Sequence, residues 1–281
     1  MDNKKNNEYK EIAKNVREHI ITISNNGGAF IGSALSCSDL IVFLYKDFLN
    51  VSKDNLLSKS RDYFFLSKGH AVPALYGTFI ELGWLEKERL NNHLQVNDDI
   101  YWHPNTKIPG VEFHSGSLGH SLAIAVGIAI DCKIKESKNK IVVLVGDGEL
   151  NEGSIWEALM VANAYKLDNL LIIIDRNQIQ ANLLTEELIP LDPLNLKFES
   201  FGCSVKSIDG HSFNDMHDTF RGFPFEKNRP SVIIADTVRG KGIRSIENKI
   251  NKWFVENNDY DTIQYINELN VTNEFELNMS N

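Results

Sequence analysis

The sequence predicts an α/β fold built on a parallel sheet with helices on both faces. Residues 141–145 and 170–174 are unbroken runs of Val, Ile and Leu, the pattern of strands buried on both sides in a parallel sheet. The intervening segment 153–166 carries Ile155, Leu159 and Ala162 at helical spacing, with Ser154 and Glu157 arranged as a capping box. Strand, helix and strand form a βαβ unit whose strands run the same way. Asp147 and Asn177, each just past a strand end, therefore emerge at the same carboxyl edge.

The remaining elements follow from local pattern. Residues 9–24 place Ile12, Val16, Ile20 and Ile23 on one helical face, and 25–28 supply the stop. Next comes GGAFIGSALSCSDLIVFLY, a glycine-rich turn preceding Ser36 and a second helix bearing Leu40, Phe43, Leu44 and Phe48. Residues 62–66 read as a short strand entering SKGHAVPALYGTF, with His70 at the strand-to-helix junction. Residues 101–127 form an irregular loop passing into a helix rich in small residues, and 204–208 and 232–235 are further strands. One domain over 1–255 is expected, then a polar, acidic tail over 256–281 with a helix around 263–269 and mobile last residues.

A chain of 281 residues with 42% hydrophobic composition is long enough for one well-buried core. Its net charge of −9, without a dense Lys/Arg cluster, argues against nucleic acid as a partner. The start has no apolar leader and the longest apolar stretch, 122–130, is too short for a bilayer, so a cytoplasmic protein without membrane contact is expected. Cys37, Cys132 and Cys203 are odd in number and far apart, which fits reduced thiols.

Asp147 lies between Gly146 and Gly148, which leave the backbone open to close approach by a ligand. A carboxylate, an amide oxygen and a main-chain carbonyl form a sparse set of hard donors. That set suits Mg²⁺ carrying a diphosphate better than an all-protein Ca²⁺ cage, and the adjoining helix amino end favours the same anion. A dinucleotide fold is disfavoured, because no third glycine completes GxGxxG after Gly146 and Gly148.

GDG at 146–148, followed after 149–176 by Asn177, resembles the metal and diphosphate signature of thiamine diphosphate enzymes. The longer GDGELNEGSIWEA is similar to the transketolase family. The resemblance runs from about Ala13 to Phe254 and implies the family's diphosphate-binding (PP-type) domain. It implies Asp147, Asn177 and the carbonyl of Ile179 as Mg²⁺ ligands. Cofactor contacts are implied for His70, Gly116, Ser117, Leu118, Gly148, Glu149, Asn177 and Arg239. His70 and His103 are the implied catalytic residues, with His103 near the reacting carbons. Glu152 and Glu157 fall where the family often has a relay between sites; each reads equally as an ordinary helix-start acid. His114 and His120 read as solvated or structural, and DGH at 209–211 resembles a family element whose role is structural or at an interface.

Two departures concern the substrate pocket, assigned to Phe30, His103 and Phe254. Phe30 stands where the glycine-rich loop of the family has histidine, and Phe254 where a histidine follows Trp253. Each reads either as packing or as a rebuilt pocket wall. The family's pyrimidine-binding domain is not matched. The expected object is thus one half of a split transketolase, completed by a carboxyl-terminal partner in an α2β2 assembly and inert alone. Its expected reaction in carbohydrate metabolism moves a two-carbon ketol unit between sugar carbonyls. The alternatives are an acyl-transferring carboligase fed by a 2-oxo acid such as pyruvate, which needs no base at the C3 hydroxyl, and a cofactor-binding pseudoenzyme.

Overall fold

The central strands contain almost nothing that water would solvate, and the sheet is accordingly covered on both sides. The structure is a computed structural model and describes residues 1–278. Its strands are β1 (Tyr63–Leu66), β2 (Ile141–Gly146), β3 (Leu170–Arg176), a small ribbon of β4 (Ile179–Gln180) with β5 (Leu183–Leu184), β6 (Ser204–Asp209) and β7 (Ser231–Asp236). Five of them form one sheet in the order β1-β2-β3-β7-β6. Every pairing in it is parallel, with Val145 opposite Ile174 and Ile174 opposite Ile234.

The helices are α1 (Asn3–Asn25), α2 (Ile31–Ser36), α3 (Ser38–Phe43), α4 (Val72–Glu81), α5 (Ser121–Ile134), α6 (Gly153–Ala164), α7 (Thr185–Leu188), α8 (Leu194–Ser200), α9 (Phe213–Phe220) and α10 (Asp259–Asn278). Strand side chains alternate between two cores. Val142, Leu144, Leu171, Ile173 and Ile233 pack under α1, α3, α4, α9 and α10. Val143, Val145, Ile172, Ile174 and Val232 pack under α5, α6 and α8. This is the two-faced α/β architecture that the uninterrupted apolar runs predict.

Several boundaries differ from expectation, each for a local reason. α1 starts six residues before Tyr9, because Asp2 caps it by accepting the Lys5 amide at 2.8 Å. The expected second helix is broken into α2, α3 and a wide turn over Leu44–Phe48, with the first break at Cys37. The capping box on α6 does not form. Ser154 Oγ instead donates to the Gly119 carbonyl at 2.8 Å, Glu157 is exposed, and α6 begins without a side-chain cap.

α10 is much longer than the expected helix around 263–269. Tyr265 and Leu269 sink into the core beside α1. The expectation of mobile last residues concerns 279–281, which lie outside the described residues. All three cysteines are free and buried. Among the described residues, no helix is long and apolar enough to cross a membrane.

Candidate functional site

Parallel strands deliver their carboxyl ends to one edge, and there the chain places its chemistry. β1 runs into Lys68 and His70, β2 into Asp147, β3 into Asn177, and β7 into Arg239. Between them lies a cavity of about 170 Å³ lined by His70, Leu118, Asp147, Gly148, Glu149, Asn177 and Ile179, together with Ser33, Lys68, Gln180 and Trp253.

Asp147 is nearly fully buried, and its carboxylate accepts the amides of Gly148 at 2.7 Å and Gln178 at 2.5 Å. Burial, with the nearby Asp175 charge adding to it, pushes its pKa up to about 6. Among the described residues its one ion pair is with Arg176, at 3.4 Å. Asn177 Oδ1 accepts the Ile179 amide at 3.2 Å across a turn in which Gln178 has φ of +64°. A non-glycine residue there costs about 1 kcal/mol, and such strain clusters at ligand clamps. The turn sets the Asn177 amide and the Ile179 carbonyl beside Asp147.

Arg239 is 1% exposed, yet Nε and Nη2 of its guanidinium have no hydrogen-bond partner. Nη1 donates to the Ile179 carbonyl at 3.1 Å, and the guanidinium lies 5.1 Å from the Trp253 ring centroid. Burial pulls its pKa down to about 10. An unpaired buried cation is costly, so this position favours an anion. The hard oxygens of Asp147, Asn177 and Ile179, with the orphaned donors of Arg239 next to Ile179, fit a diphosphate neutralised by a divalent cation. Among the described residues no cluster of three His, Cys, Asp or Glu could hold a metal by itself, as expected for so sparse an oxygen set.

Beneath this cavity sits an ion pair that sequence reasoning missed. Lys68 and Asp175 are both buried and in direct contact. Asp175 also accepts from Ser36 Oγ at 2.6 Å, Asn177 Nδ2 at 3.1 Å and the Thr237 hydroxyl. Although burial opposes ionisation, Lys68 and these donors hold Asp175 below the usual carboxylate range. The network ties α2, β1, β3 and the β7 exit together. Its signal in the sequence is weak, a lysine and an aspartate at the ends of apolar runs.

Glu149 faces the cavity with its carboxylate already engaged. It accepts from Gly119 at 2.8 Å, Gly146 at 3.2 Å and the Ser67 hydroxyl, and so braces the loop carrying Gly116, Ser117 and Leu118. Leu118 lines the cavity and Ser117 is exposed. Gly116 must be bare, since a Cβ would fall 2.9 Å from the ring of His103.

His70 Nε2 lies 2.9 Å from Ser33 Oγ, and burial together with the Lys68 ammonium holds its ring neutral. Burial also keeps His103 neutral. Phe30 packs on His70, Trp253 and Phe254, with centroids 5.6, 4.9 and 5.3 Å away, and lies 6.3 Å from His103. Phe254 rests on Gly28 (φ +81°), where a Cβ would fall 2.3 Å from its ring. Phe30, His103 and Phe254 are thus brought together, outside the cavity lining. His114 and His120 are exposed, as are Glu152 and Glu157.

A family model described as "Transketolase, thiamine diphosphate binding domain" matches residues 10–253. The chain is 37% identical over 240 residues to one subunit of the apulose-4-phosphate transketolase of Phocaeicola vulgatus, covering 85% of each. It is 38% identical over 245 residues to the same subunit from Actinobacillus succinogenes, covering 86% of this chain and 88% of that one. The fold matches transketolase from Leishmania mexicana with a TM-score of 0.85 at 20% identity, over 97% of this chain and 45% of that one. The chain therefore spans less than half of that solved enzyme. It belongs to the transketolase family, as a thiamine diphosphate-binding domain.

Proposed function

We propose that this chain is the thiamine diphosphate- and Mg²⁺-holding subunit of a two-subunit transketolase-like enzyme that transfers a two-carbon ketol unit between carbonyl sugars. The observation that carries the reading is Arg239, a buried guanidinium with two unpartnered nitrogens whose third nitrogen donates to the carbonyl of Ile179, next to Asp147 and Asn177 in the cavity wall. The two relatives from split apulose-4-phosphate transketolases align over 85% and 88% of their own length, which supports a separate partner bearing the pyrimidine-binding domain, in an α2β2 assembly.

In this reading Asp147, Asn177 Oδ1 and the Ile179 carbonyl ligate Mg²⁺, while Arg239 donates to the diphosphate. The main chain at Gly116–Leu118, with His70, Gly148 and Glu149, borders the cofactor. When bound, thiamine diphosphate supplies the electron sink for cleaving the carbon–carbon bond. The rings of His70 and His103 are both held neutral. His103 can accept a substrate proton or donate a hydrogen bond, while His70, with Nε2 on Ser33 Oγ, keeps Nδ1 for a hydrogen bond at the reacting end of the site. Residues 1–255 form the diphosphate-binding unit, and α10 braces it.

A second reading rests on the aromatic wall. Phe30 and Phe254 touch each other where two polar bases are expected, which favours an acyl donor such as pyruvate that loses CO₂. The test is the chain reconstituted with a transketolase carboxyl-terminal half, thiamine diphosphate and Mg²⁺, offered pyruvate and then a ketose phosphate. Aldehyde release without CO₂ is the expected result. CO₂ from pyruvate promotes acyl transfer, and neither product leaves a cofactor-binding pseudoenzyme.

A further inference from the structure

Asp39 on α3 is buried, and both its neighbours reach past it to the same short loop. Arg17 of α1 donates to Asp39 Oδ2 at 2.6 Å and, through Nε, to the Lys241 carbonyl at 3.1 Å. His211, just after β6, meets the same Asp39 oxygen through Nδ1 at 2.7 Å, and its Nε2 accepts the Val238 amide at 2.8 Å. The Val238 amide can only donate, so Nε2 is bare and Nδ1 carries the proton to Asp39. Burial opposes ionisation of Asp39, but Arg17 and His211 hold it well below the usual carboxylate range.

Val238 is one residue before Arg239 and Lys241 two after. One carboxylate therefore fixes the loop on both sides of the guanidinium, through Arg17 on one side and His211 on the other. Gly240 adds a third tie, its amide donating to the Gly32 carbonyl at 3.0 Å. Arg239 itself is held by little, with one hydrogen bond to Ile179 and the face of Trp253. The placement of its side chain therefore follows its backbone, which is held through Asp39, by Gly240 on Gly32, and by the Arg239 carbonyl accepting the Asn248 amide at 2.8 Å.

We propose that Arg17, Asp39 and His211 form a positioning clamp that sets Arg239 for the diphosphate. This rests on the reading of Arg239 as a diphosphate donor, and none of the three clamp residues lines the cavity. Preorganisation of this kind lowers the cost of ordering the donor on binding.

The test is a calorimetric titration of the full-length purified chain with Mg²⁺ and inorganic pyrophosphate, in a double-mutant cycle. His211→Ala is expected to weaken pyrophosphate on the order of tenfold, the loss of one charge-assisted hydrogen bond. In an Arg239→Ala background the same change is expected to cost nothing further, because its effect passes through Arg239. Asp39→Asn, which keeps the size of the node, is expected to repeat the pattern and carries the test should His211→Ala not fold. Equal losses in both backgrounds, or wild-type affinity in His211→Ala or Asp39→Asn beside a weakened Arg239→Ala, overturn the clamp alone. Wild-type affinity in Arg239→Ala removes the diphosphate reading of Arg239 and the clamp with it.

Discussion

Phe30 and Phe254 meet edge to face, with ring centroids 5.3 Å apart and planes inclined at 71°. Two aromatic rings in that geometry attract each other beyond their buried area by about 1 kcal/mol, and neither accepts a proton. The contact makes one wall of two residues far apart in the chain, so a change at either is felt by the other. Phe30→His returns a base to that wall and is expected to raise kcat/KM for a ketose donor on the order of tenfold. Steady-state aldehyde release by the reconstituted enzyme measures it. No gain assigns Phe30 to packing.

Asp147→Ala is expected to remove the dependence of cofactor binding on Mg²⁺. The carboxylate is the one charged member of the oxygen set, and without it the amide and carbonyl hold a divalent cation poorly. Titrating the assembled complex with thiamine diphosphate, with and without chelator, reads the effect. An unchanged chelator response sinks the metal assignment.

Lys68→Met leaves Asp175 as a buried carboxylate whose cation is gone. Its hydroxyl and amide donors remain, but among the described residues no other cation is paired with it. The expected loss is about 3 kcal/mol of unfolding free energy, read from urea melts of the isolated chain. A loss under about 0.5 kcal/mol, the scale of an ordinary surface change, contradicts the structural role given to the pair.

Acid stability has a distinct local source in Asp98. Burial opposes its ionisation, but Arg89, Asn92 and the amides of Asp99 and Ile100 lower its pKa from 3.8 to about 2. A depressed folded-state value contributes stability that is full above 3.8 and fades as pH falls toward 2. After a discount for solvent screening the contribution is about 1 kcal/mol. Asp98→Asn is expected to flatten the stability profile in that window and leave it unchanged in shape above it.

How far the sequence can be read depends on whether the information is local. β2 and β3 are legible because strands buried on both faces leave no polar residue to interrupt the run. Asp147 and Asn177 follow from them, since a parallel pair forces its ends to one edge. Asp39 and His211 are 172 positions apart, and no local pattern announces such a partnership. Ser154 has the spacing of a cap, but its oxygen is claimed by Gly119, a contact made only by the tertiary fold. The full length of α10 is hidden because only Tyr265 and Leu269 of its inward face are strongly apolar and deeply buried.

The residues around the cavity come from Ser33 at one extreme and Trp253 at the other, with contributions from the exits of several strands. No contiguous fragment of the chain owns the site. A ligand seated there grips the folded state as a whole, and by mass action a concentration one hundred times its dissociation constant adds about 2.7 kcal/mol to global stability. The melting temperature of this protein is thereby a gauge of how far that site is filled.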